Sequence, residues 1–242
     1  LANAHGRSVS VVPRSSTHRW QVRCMTGGGD DSLREASTKF GVMNYRVLGE
    51  ESASPQSEGS KILFLHGLGS SSETCQPPQS LLSGSTFFVP DFFGHGSSSL
   101  PLDPEPYRMA SLASSVYDIL QREEISSVFI IAHSMGGPVG IELCELALAN
   151  NKTRIRGMIY EEGNLDEGDC FGSKKLASKG APPVGPESSE PILRKFGQHA
   201  CATDLVKVSC TNDLLPRLLH LKSSGIPVWF AYGEKNRGRF SS

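Results

Sequence analysis

The sequence predicts an α/β protein built on a mostly parallel, doubly wound sheet with helices on both faces. Three observations carry this. Short, continuous apolar runs such as SKILFLHG (60–67) and SVFIIAHS (127–134) read as strands buried on both faces. They alternate with longer stretches of helical period, such as RMASLASSVYDILQREE (108–124), which sets Met109, Leu112, Val116, Ile119 and Leu120 on one face. Glycine follows most of the strand-like runs, as expected where a strand turns into a loop or helix.

Taken in order, VMNYRVLG (42–49) alternates like an early strand, and SKILFLHG follows it. SETCQPPQSLLSG (72–84) reads as loop and short helix, then TFFVPDFFGHGSSS (86–99) as a strand and a Gly/Ser turn. The helix over 108–124 leads into SVFIIAHS, and GPVGIELCELALAN (137–150) is a second helix. IRGMIYEEG (155–163) and IPVWFAYG (226–233) are two further strands. Between them, residues 165–210 are rich in Gly, Ser, Lys and Pro, with APPVGPESSEP (181–191) at the centre. That texture is expected of a lid insertion over the carboxyl edge of the sheet, the alternative being a long solvated loop with short helices. No internal repeat is present.

Bulk properties narrow the function classes. A chain of 242 residues, 38% hydrophobic, suits one globular domain with a sizeable core. A formal net charge of -1 argues against nucleic acid as the main partner. No run approaches the ~18 apolar residues that span a bilayer, so no transmembrane segment is expected. The six cysteines show no CxxC pair and no Cys/His cluster at metal spacing, which points to a reducing, intracellular setting and no metal site. A Cys201–Cys210 disulfide is the one pairing left open. GxGxxG and GxxxxGK[ST] are absent, so no cofactor is expected.

The chain begins at Leu1, and its first 29 residues carry Arg7, Arg14, Arg19 and Arg23 with no acid before Asp30. Arg- and Ser-rich, acid-poor leaders resemble plastid or mitochondrial transit peptides; the alternative is a disordered extension without an address. Residues 1–35 are therefore expected to be a leader and 36–242 the folded domain, with GGGDDS (27–32) as the flexible join.

The strand–AHSMGG–helix junction, with Ser134 between small residues, resembles the nucleophile elbow of the α/β-hydrolase superfamily, Ala132 replacing the first glycine of G-x-S-x-G. FLHGLGSS after one strand and VPDFFGHGSSS after the next resemble that family's oxyanion loop and its D-x-x-G-H-G-x-S turn, in the family's order. The likeness covers roughly residues 40–240. It implies that Ser134 Oγ attacks a carbonyl carbon, with the oxyanion held by the amides of Leu68 and Met135. The structural alternative for Ser134 is a helix cap. Dehalogenases and epoxide hydrolases of the superfamily carry Asp at this corner. A serine implies acyl chemistry instead: hydrolysis of an ester or related acyl substrate through an acyl-enzyme, or acyl transfer.

The resemblance also implies an acid and a histidine base after it in the chain. Glu162, at the end of MIYEEG, is the first choice for the acid because some relatives, including certain haloalkane dehalogenases, carry a carboxylate at that strand end. Glu234, in YGEKN after the next strand, is the second choice, and the alternative for Glu162 is an ordinary solvated or salt-bridged loop residue. No histidine occupies the place the family pattern reserves for the base. His66 and His95 fall in the two loops, His133 points to the strand face opposite Ser134, His5 and His18 lie in the leader, His199 lies in the expected lid, and His220 lies on a helix before the last strand. The expectation is a C-terminally incomplete hydrolase. The competing reading is a non-catalytic ligand-binding protein on the same fold, since loss of the base costs about six orders of magnitude in kcat.

Overall fold

The computed structural model describes residues 32–49, 59–211 and 213–233. Seven strands form one sheet: β1 (Ser32–Thr38), β2 (Gly41–Leu48), β3 (Ser60–Leu65), β4 (Ser85–Pro90), β5 (Ser127–His133), β6 (Arg154–Glu161) and β7 (Val228–Ala231). Their order is β1-β2-β4-β3-β5-β6-β7. β1 and β2 form an antiparallel hairpin, β2 runs antiparallel to β4, and every pair from β4 to β7 is parallel. The mostly parallel α/β sheet is therefore as the sequence predicts.

Among the described residues six α-helices accompany it: α1 (Gln79–Leu82), α2 (Met109–Arg122), α3 (Gly136–Asn150), α4 (Phe171–Ala177), α5 (Glu190–Ser209) and α6 (Leu214–Ser223). The five residues singled out on the first helical stretch are all fully buried. In β5, Val128, Ile130 and Ala132 enter the main core while Phe129 and Ile131 are half-buried, the period of two expected of a strand. The main core joins α2, α3, α5 and α6 to one side of the sheet. A second, smaller cluster of Leu48, Ile62, Cys75, Phe87 and Val89, with Leu82 of α1 against it, serves the other.

One expectation is corrected and one open pairing is decided. The leader was bounded at residue 35, but β1 already takes up Ser32–Glu35 and pairs along β2 from Ser32↔Val47 to Thr38↔Gly41. Only Ala36 of β1 is buried, so an edge strand with no apolar alternation looked like solvated chain. Residues 1–31, with the leader motif, lie outside the described residues. The open Cys201–Cys210 disulfide is absent: Cys201 is a buried free thiol and Cys210 an exposed one. Nine residues apart along α5, the two are about half a turn out of phase. Among the described residues no helix is long and apolar enough to cross a membrane, and no group of His, Cys, Asp and Glu could hold a metal ion.

Residues 165–210, where a lid is expected, hold α4 and the 20-residue α5. α5 is fastened to the sheet's carboxyl-end loops. Arg194 donates to the Gly96 carbonyl at 3.0 Å, and Phe196 meets Tyr107 edge-on at 5.9 Å. Asp204 accepts from the Met109 amide at 2.8 Å, capping α2. Gly94 and Gly197 let the two backbones touch, since a Cβ on Gly197 would lie 2.9 Å from the Gly94 Cα.

Candidate active site

At the β5–α3 corner the chain must reverse sharply, and Ser134 does so with φ 52°, a left-handed conformation unusual for a side chain other than glycine. Its amide donates to the Glu161 carbonyl at 2.9 Å, and its carbonyl accepts from the Gly137 amide at 2.8 Å. The small residues around it have a steric reason. A Cβ on Gly136 would lie 2.3 Å from the Leu65 carbonyl oxygen, and one on Gly137 2.5 Å from the Tyr160 ring. α3 therefore starts in contact with β3 and β6. Ser134 itself is half-buried, while Met135 is fully buried at the head of α3, whose partial positive charge suits an anion.

The loop after β3 lies beside this corner. A Cβ on Gly67 would stand 3.0 Å from His133 Nδ1 and 3.2 Å from Ser134 Cβ. Neither the Leu68 nor the Met135 amide donates to an acceptor among the described residues. Two backbone donors are thus open at the two loops that meet at Ser134.

Two buried histidines hold these loops together. His66 Nδ1 donates to the Gly67 carbonyl at 2.8 Å, and its Nε2 accepts from the Phe92 amide at 3.1 Å. His95 Nδ1 donates to the Phe93 carbonyl at 3.0 Å, and its Nε2 accepts from the Gly69 amide at 3.0 Å. Each ring is locked in its neutral form. Burial, with the neighbouring His95 second, pushes His66 down to about 3, and burial pushes His95 down to about 4. Buried Asp91 completes the frame, accepting from the Ser72 amide at 2.5 Å with one oxygen and from the Ser97 amide at 2.9 Å with the other.

Glu162 stands one strand over from Ser134. It follows β6 directly and is also left-handed, with φ 47°. Its amide donates to the Ala231 carbonyl at 2.9 Å, and its Oε1 accepts from the Gly233 amide at 2.9 Å. The carboxylate is therefore held at the carboxyl ends of β6 and β7 by a charge-assisted bond. The structure brings Ser134, Leu68, Met135 and Glu162 to one sheet edge. Glu234, the alternative acid, lies outside the described residues.

Known proteins show the same organisation. A family model for the alpha/beta hydrolase fold matches residues 61–174, from β3 into α4. The fold also aligns with the crystal structure of haloalkane dehalogenase DbeA from Bradyrhizobium elkani, with a TM-score of 0.58 and 17% identity over 84% of this chain and 81% of that one. Residues 61–174 belong to the α/β-hydrolase superfamily. Among curated proteins, the chain is 35% identical over 172 residues to an uncharacterized protein of Mycobacterium tuberculosis, covering 65% of this chain and 49% of that protein. It is 27% identical over 200 residues to Lipase 3 of a Moraxella species, covering 74% of this chain and 63% of the lipase. This hydrolase chain thus spans about half the length of the mycobacterial relative.

Within the hydrolase fold, no histidine hydrogen-bonds to Ser134 among the described residues. His199 Nε2 is engaged with the Ala177 carbonyl at 3.0 Å, tying α5 to α4. His220 lies on the exposed side of α6, and His5 and His18 are outside the described residues. Sequence reasoning missed Tyr160, whose ring fills the space left by Gly137 and Gly163 on either side of the site. The available signal was glycine at both places, three residues after Ser134 and directly after Glu162.

Proposed function

We propose that this protein is a serine hydrolase acting on a carboxylic ester or related acyl substrate, with Ser134 as nucleophile. Ser134 Oγ attacks the acyl carbon and passes its proton to a histidine base, which none of the described residues supplies. The tetrahedral oxyanion sits between the Leu68 and Met135 amides, each worth about 3–4 kcal/mol to the transition state. Collapse expels the alcohol, protonated by the same histidine, and leaves an acyl-enzyme. Water, deprotonated by the base, then releases the acid and restores Ser134. Glu162 orients the base and offsets its charge while it is protonated.

The observation that carries this reading is the left-handed Ser134 beside the Gly67 loop, where the Leu68 and Met135 amides have no acceptor among the described residues. A cap or a packing serine has no need of that strain. The serine also separates this chain from dehalogenation, where a carboxylate takes the same corner. The insertion that carries α4 and α5 serves in this reading as the roof of the acyl site.

The test uses the protein expressed from its complete reading frame, with a fluorophosphonate probe and p-nitrophenyl esters of graded chain length. Covalent labelling and ester turnover, both abolished by Ser134→Ala, are expected. A second reading, a ligand-binding hydrolase fold without catalysis, draws on the lack of a histidine at Ser134. Absence of labelling in the wild-type protein would make that reading the correct one.

A further inference from the structure

The two left-handed corners, Ser134 and Glu162, end neighbouring strands and share a hydrogen bond through the Ser134 amide and the Glu161 carbonyl. Neither holds such a conformation by its own preference, so something packed between them must. Tyr160 is the residue in that position. It pairs with Ala132 of β5 and Phe230 of β7, and its side chain is 1% exposed. One part of its ring fits where a Cβ on Gly137 would come within 2.5 Å, and another where a Cβ on Gly163 would come within 2.0 Å. Gly137 belongs to the first turn after Ser134, and Gly163 directly follows Glu162. Phe230 stands edge-on to the ring at 5.8 Å, closing the third side.

The hydroxyl adds direction to the packing. It donates to the Asn164 carbonyl at 2.6 Å, two residues past Glu162. Burial pushes its pKa well up, so it remains a donor at any pH at which the fold survives. Asn164 in turn donates to the Asp169 carbonyl at 3.0 Å, and the Leu165 amide donates to the Asp169 carboxylate at 3.0 Å. The turn after Glu162 is therefore anchored to the sheet through the phenol.

We propose that Tyr160 is a positioning residue that keeps Glu162 in register with Ser134: its ring braces both corners, and its hydroxyl tethers the turn that carries the acid. This rests on the reading of Ser134 as nucleophile and Glu162 as acid. A tyrosine present only to fill the core would serve equally well without its oxygen.

Tyr160→Phe removes that oxygen and keeps the ring, so the core stays filled. The experiment measures p-nitrophenyl butyrate hydrolysis by the wild-type protein from its complete reading frame, by Tyr160→Phe, by Glu162→Gln and by the double variant. The expected result for Tyr160→Phe is a roughly tenfold loss of kcat with KM within twofold of wild type, from a one-bond loss of about 1.4 kcal/mol. The double variant should be no slower than Glu162→Gln alone, because the tether acts through the acid. Wild-type kcat in Tyr160→Phe, or a tenfold loss repeated in full on the Glu162→Gln background, would overturn the positioning role. Wild-type kcat in Glu162→Gln would instead overturn the acid assignment. A wild-type protein with no turnover at all would overturn the hydrolase reading beneath both.

Discussion

At the scale of single residues, the candidate site is marked by backbone strain. Ser134 and Glu162 both hold positive φ without being glycine, a conformation costing about 1–3 kcal/mol each. Glycine adopts it freely, at an entropic cost of up to about 1 kcal/mol on folding. Ser134→Gly should therefore raise stability by about 1 kcal/mol while abolishing ester turnover, seen as a higher urea midpoint in an inactive protein. An unchanged or lower midpoint would mean that the corner is not strained. Ser134 was legible because its strain demands small neighbours, and the run AHSMGG displays them. The strain at Glu162 was not legible. The partners that hold it, Tyr160 beneath the turn, Ala231 of β7 and Gly233 just beyond that strand, are brought there by the fold.

At the scale of elements, α5 is the least expected, and it is fastened to the loops at the sheet's carboxyl end. Its buried positions are Gly197, Cys201, Ala202, Leu205 and Ser209, mostly small residues. A helix that packs by close backbone approach needs no apolar stripe, so the periodicity that revealed α2 is missing here. The contact that matters is Gly197 against Gly94 and Tyr107, where an added Cβ would come within 2.6 Å of the Tyr107 ring. Gly197→Ala should cost about 1–3 kcal/mol and lower the urea midpoint without a change in m. A neutral result would show that α5 can lift off the loops, as a mobile lid would. β1 escaped detection for a related reason: with only Ala36 buried, its pairing with β2 leaves no hydrophobic trace.

At the scale of the whole molecule, the buried neutral histidines tie stability to pH. His66 and His95 have folded-state pKa values of about 3 and about 4, below the 6.5 of an unfolded chain. Above about pH 6.5 both states are neutral at these groups, and stability does not depend on them. Below it the unfolded chain binds two protons that the folded one refuses. Stability therefore falls as pH falls, by about 1.4 kcal/mol per pH unit for each histidine, down to the folded-state values. Urea unfolding at pH 7.5, about 5.5 and about 4.5 should show a flat upper region and a steep loss below. His95→Gln should make the low-pH slope shallower. Equal stability at the three values would mean that these rings are protonated in the folded protein. The consequence is an acid-labile meeting of the loops that carry Leu68 and precede α2, so turnover should be lost with the fold at low pH.

By itself the sequence determined the α/β class, six of the seven strands, the α2 and α3 helices, and the residues that line one edge of the sheet. Those features depend on local periodicity and on glycine where side chains would collide, and both are written along the chain. Tertiary structure alone decided the rest. β1 exists because β2 offers it an edge, and α5 stands where its small residues meet a loop a hundred positions earlier. Tyr160 acquired its place because two glycines on different elements left room for one ring. Each of these depends on groups far apart in the chain and close in space, and no window of sequence contains them together.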